Sequence, residues 1–136
     1  MRESGRRQAL IPVRTALRWS AIATLAASAA FHIPVIAPHL HEAPYIGGLF
    51  IALTVACLAL AAALTVRDDD LLWAAAGVVT ALAVIAYVVS RTVGLPEIGD
   101  DIGNWAEPLG VASITAETLT VLIAGAALWH SRITRR

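Results

Sequence analysis

Histidine and carboxylate carry most of the chemistry available to this chain, and they gather in few places. The densest group is His39-Leu40-His41-Glu42. If that segment is extended, His39 and His41 point the same way. If it is a helical turn, His39 and Glu42 share a face. Either way two ligands come from one short piece. Imidazole with carboxylate suits Zn, Cu, Ni or non-haem Fe. The single methionine, and a single cysteine (Cys57) inside an apolar run, argue against a soft Cu(I) site. Further along lie Glu97, Asp100, Asp101 and Glu107, then Glu117, while His32 precedes the cluster.

Four apolar segments must position these groups. They run over about 19–37, 45–66, 71–90 and 111–129. Each approaches the roughly 20 residues that cross a hydrocarbon layer as a helix. Backbone groups in lipid must be satisfied within the segment, and the segments are Ala- and Leu-rich without period-two alternation, so helices are expected. The expected fold is all-α: a single domain, residues 1–136, forming a four-helix membrane bundle. An Arg-rich start followed by an apolar run also resembles a secretory signal, but the run is too long, so an uncleaved first span is expected. Pro38–Pro44 and Thr92–Gly110 read as loops at one end, and Arg67–Asp70 as a tight, solvated turn at the other. Small residues, among them Gly47, Gly48, Ala52, Ala59, Ala63, Gly77 and Ala81, are expected at helix contacts.

Arginine placement sets the orientation. Nine of the ten arginines lie in the tails or the Arg67 turn, and only Arg91 lies at the other end. Both termini are therefore expected in the cytoplasm, in a multi-pass protein of the cell membrane. The His/carboxylate groups then face outward. Trp19, Trp73, Trp105 and Trp129 fall near span ends, where interfacial indoles belong. No basic stripe with interleaved aromatics exists, which excludes a nucleic-acid partner.

Depth brings two of the titratable groups together. His32 precedes Pro38 by six residues, placing it roughly 9 Å below the span end, and Glu117 follows Gly110 by seven, roughly 10 Å in. A carboxylate at such depth costs roughly 2.5–3.5 kcal/mol on insertion scales and normally faces the interior beside a partner. Ser20, Thr24, Ser28 and His32 recur every four residues; Ser113, Glu117 and Thr120 share a face, as do Thr80, Tyr87 and Arg91. Three helices thus direct polar groups inward.

His39-Leu40-His41-Glu42, Gly48-x-Phe50, Ser90-Arg91-Thr92-Val93-Gly94-Leu95-Pro96 and Glu107-Pro108-Leu109-Gly110 followed by Glu117 together resemble a group of small four-span membrane proteins of actinobacteria. The likeness runs through most of the chain after Ala29. It implies the four-span topology and transfers no activity.

The expected function is binding of a transition metal or small ligand at an outward-facing site. His32, His39, His41, Glu42, Glu107 and Glu117 are the expected ligands, with Ser28, Tyr87 and Arg91 as hydrogen-bond partners behind them. Two other readings stand beside it. One is a proton- or cation-coupled transporter acting as a homo-oligomer; the other is an accessory subunit of a larger membrane complex. No nucleophile–base pair, phosphate loop or dinucleotide fingerprint marks an enzyme.

Overall fold

The computed structural model describes residues 2–135, with side chains from residue 13 onward. The side chains of Arg2, Arg6, Arg7 and Arg136, which count toward the arginine asymmetry, lie outside the described residues. The elements are α1 (Arg2–Glu42), α2 (Pro44–Val66), α3 (Asp70–Thr92) and α4 (Pro108–Thr134), with one 3₁₀ turn at Gly99–Asp101 between α3 and α4. Among the described residues there is no strand. The stretches Val13–Glu42, Pro44–Val66, Asp70–Thr92 and Pro108–Thr134 are long and apolar enough to cross a membrane.

Each helix exceeds its expected span, and the largest difference is at the first corner. Pro38–Pro44 is not a loop. α1 continues through Pro38 and His41 to Glu42, and Ala43 alone separates it from α2. Pro44 explains the position of the break. A proline disfavours helical geometry in the residue before it, and Ala43 sits at φ −141°, ψ 86°. Pro44 then opens α2, where its missing N–H costs nothing. Ala43 is fully buried against Ile46 and Ile98.

The other starts are capped by carboxylates. Asp69 accepts from the Leu72 amide at the start of α3. Glu107 accepts from the Leu109 and Gly110 amides at the start of α4, with Pro108 at the first turn. Both use anions to satisfy orphan amides at a positive helix end.

α1 packs along α2 and α4, and α3 packs along α4, whereas α2 and α3 touch much less. The larger core cluster fills one half of the bundle. Ala21, Leu25, Cys57, Leu64, Trp73 and Ala127 pack it solidly toward the Arg67 end. Charged groups lock that end. Arg14 bonds both oxygens of Asp68, at 3.1 and 3.0 Å from Nε, and donates to the Ala127 carbonyl at 3.1 Å and to the Ser131 hydroxyl. The Trp73 indole N–H donates to Asp68 at 2.6 Å. Ser131 donates to Asp70 at 2.9 Å, and Arg135 pairs with Asp70 at 3.1 Å. The Asp68–Asp70 turn is thus a latch between α1, α3 and α4 rather than a merely solvated turn. Trp73 is fully buried within it, unlike Trp19, Trp105 and Trp129, which are exposed as interfacial indoles would be.

The small residues divide. A Cβ at Gly47 would meet Leu40 of α1, and one at Gly77 would come 3.3 Å from Ala124 of α4. Gly48 has open space where a Cβ would stand, and Ala52 and Ala59 are exposed.

Candidate functional site: a blind cavity beside His32 and Glu117

The half of the bundle opposite the latch is hollow. A cavity of about 660 Å³ lies there, within the range of small-molecule sites. Its walls are mostly apolar, drawn from all four helices and from the Leu95–Asp101 segment. Along α2 it runs from Ile46 to Ala56, roughly 15 Å at 1.5 Å per residue.

Glu117 and His32 form its floor. Glu117 is 2% exposed, and its Oε1 lies 3.6 Å from His32 Nε2. The two depths read from the sequence do coincide. The Ser28 hydroxyl donates to the same Oε1 at 3.1 Å. His32 Nδ1 lies 2.8 Å from the Ser28 carbonyl, which only accepts, so Nδ1 carries a hydrogen. In neutral His32 the Nε2 lone pair therefore faces the carboxyl. The pair is favourable only with one shared proton, on Glu117 or on His32, and either arrangement is neutral overall. Both described contacts use Oε1, which leaves Oε2 to a ligand.

Further up, His39 lines the cavity, with Nδ1 2.8 Å from the Val35 carbonyl. Phe50 stands between the imidazoles, its ring centroid 5.1 Å from that of His32 and 5.0 Å from that of His39. At the rim Arg91, 7% exposed, pairs with Asp101 and lies over the Tyr87 ring, 4.8 Å from its centroid. Arg91 Nε is buried with no hydrogen-bond partner among the described residues. The Tyr87 hydroxyl reaches the Trp105 carbonyl at 3.4 Å.

The remaining expected ligands are elsewhere. His41 and Glu42 are exposed and do not line the cavity. Glu107 lines it but spends both oxygens on the α4 amides. Helix geometry is the reason the six donors do not converge. His32 and His39 are two turns apart, roughly 10 Å along α1, and Glu107 and Glu117 are roughly 15 Å apart along α4. Among the described residues no three His, Cys, Asp or Glu side chains are grouped to hold one ion. His130, at the opposite end, has its Nε2 buried without a partner among the described residues.

The inward polar rows are present. Thr80, Arg91, Ser113, Glu117 and Thr120 are buried, as are Ser28 and His32, while Ser20 is exposed. The Glu107 cap was foreshadowed by its place directly before a proline and an apolar helix. Phe50 stood out only within the Gly48-x-Phe50 likeness, because an apolar ring in an apolar span has no chemical signal of its own. No protein family, curated protein or solved structure matches this chain.

Proposed function

We propose that this chain is a multi-pass protein of the cytoplasmic membrane, both termini inside, that binds a small ligand in the outer half of its bundle. The observation that carries the reading is the cavity of about 660 Å³ with Glu117 and His32 on its floor. Burying a carboxyl group in an apolar bundle is costly, and a preformed polar spot in an apolar cavity is how ligand sites fix orientation. The orientation rests on the nine-to-one division of arginines between the two ends.

The chemistry of the floor is hydrogen bonding. A ligand carbonyl accepts from the Glu117 carboxyl, and a ligand hydroxyl donates to a carboxylate. Ser28 holds Oε1, and the Ser28 carbonyl fixes the His32 tautomer. Binding is favoured over passage through one chain. Beneath Glu117 the Thr120 and Thr24 hydroxyls meet at 2.8 Å, and the fully buried Leu25, Leu64 and Trp73 then fill the bundle.

The test is mass spectrometry of the organic extract from purified protein. Ser113→Trp fills the cavity, and Thr118→Trp, on the exposed side of α4, does not. Wild type and Thr118→Trp should carry one compound at about one per chain, and Ser113→Trp should lack it. Identical extracts from all three would refute the reading.

A further inference from the structure

The cavity is closed at its top and floor and open at its side. At the top, Ala43, Ile46 and Ile98 are buried together, with Phe50 and Leu95 packed on them. The 93–107 connection is tied down at that end by several contacts, the Tyr87–Trp105 bond among them. The Tyr45 hydroxyl donates to the Pro96 carbonyl at 2.6 Å, the Gly103 amide donates to the Arg91 carbonyl at 2.9 Å, and Arg91 pairs with Asp101. On the flank between α2 and α3 the situation reverses. Leu49 and Leu82 both line the cavity, yet they are 59% and 61% exposed. Ala52 and Ala86 line it and are exposed as well. These are the two helices that touch least. In a bilayer that flank meets acyl chains.

Most of the charges of the cavity are matched. Glu117 and His32 face each other at 3.6 Å, and one proton between them makes the pair neutral; Arg91 is matched by Asp101; Glu107 holds the α4 amides. An ionic ligand entering through apolar walls would be expensive to desolvate. A neutral head would find two hydrogen-bonding groups at the floor and mostly apolar walls above them, with His39 and Arg91 nearer the rim.

We propose that the cavity draws its ligand from the bilayer, through the gap between α2 and α3, and that this ligand is a neutral amphiphile with a carbonyl or hydroxyl head on an apolar tail. The inference rests on the ligand-binding reading above. The head reaches Glu117 and His32, and the tail leaves between Leu49 and Leu82. A tail matters chiefly by concentrating the head in the membrane beside the gap, in the way a tether raises effective concentration.

The experiment uses the full chain in phosphatidylcholine nanodiscs, with bound probe counted by native mass spectrometry. One probe is a fully ring-substituted benzoquinone with a decyl tail, which cannot add to Cys57. The second carries methyl in place of decyl, and decyl sulfate tests an anionic head. Wild type should hold one decyl quinone per chain, with occupancy by the tailless ring at least about tenfold lower at equal total probe, and no decyl sulfate. Leu82→Trp and Ala52→Trp should each lower occupancy about tenfold, as should Glu117→Leu, which leaves no donor for the quinone carbonyl. If the tailless ring binds equally and ignores both tryptophans but is lost in Glu117→Leu, lateral access is wrong and the ligand site stands. Equal binding of decyl sulfate would overturn the neutral head. If no probe binds wild type, both this inference and the reading beneath it fail.

Discussion

Two adjacent glycines at the start of α2 should respond in opposite ways to one methyl group. At Gly47 an added Cβ would stand 2.6 Å from Leu40 Cγ and 2.7 Å from both Leu40 Cδ2 and the Leu40 backbone nitrogen. Ordinary contact between such atoms is about 3.5–4.0 Å, so α1 and α2 must part by about 1 Å. Overpacking costs about 1–3 kcal/mol, and no rotamer of Leu40 relieves a clash with its backbone, which places Gly47→Ala near about 2–3 kcal/mol destabilising. At Gly48 an added Cβ meets nothing within 4 Å. The usual gain of about 1 kcal/mol for alanine in a helix largely drops out here, because spans stay helical when a membrane bundle comes apart. Gly48→Ala is therefore expected within about 0.5 kcal/mol of wild type. The assay is reversible SDS-induced unfolding in mixed micelles, followed by tryptophan fluorescence. Equal effects of the two substitutions would refute the corner geometry. Because Leu40 neighbours His39, Gly47→Ala should also weaken ligand binding in the cavity, whereas Gly48→Ala should not.

Other consequences can be checked in the same preparations. Arg14 hydrogen bonds hold the Asp68 carboxyl below the usual carboxylate range. Its folded pKa then lies below the unfolded one, so its stabilisation is complete above about pH 4 and fades as pH falls through the folded value. Asp68→Asn should be less stable than wild type at neutral pH, with the gap narrowing on acidification; a gap independent of pH would refute the latch. Glu117→Leu strips Ser28 and His32 of their partner and should cost about 1–3 kcal/mol, against less than about 1 kcal/mol for Glu117→Gln, which keeps an acceptor for Ser28. The same unfolding titration separates them, and equal losses would mean the Ser28 bond contributes nothing. Elemental analysis should find no stoichiometric Zn, Cu, Ni or Fe, since only His32 and Glu117 of the six expected donors meet; a bound ion lost in His32→Ala would overturn that.

Much of this arrangement was legible in the sequence. Apolar runs near the membrane-crossing length showed the four helices, and polar residues at four-residue spacing showed which faces turn inward. The His32–Glu117 approach followed from helical rise alone, because both residues lie a similar distance from breakers at the same end. The corner at Ala43 was misread because prolines normally end helices, whereas neighbouring helices let α1 continue through Pro34 and Pro38. That continuation separates His39 from His41 and, of His39, His41 and Glu42, leaves His39 on the cavity wall. Local sequence also gave no view of the hollow half. A cavity arises from how α2 and α3 diverge, and no spacing within either helix records the distance between them. The latch was partly hidden for a similar reason, since Arg14 and Asp68 meet only after two helices have folded together.

A crystal structure grown from a lipidic mesophase without added ligand would show whether the bundle holds a ligand beside Glu117. α2 and α3 should be held apart near Leu53 and Ala83, with non-protein density inside the cavity of about 660 Å³ reaching Glu117. An α2–α3 flank closed on itself, with Leu53 packed onto Ala83 and Glu117 sealed from any cavity, would contradict the ligand-binding reading.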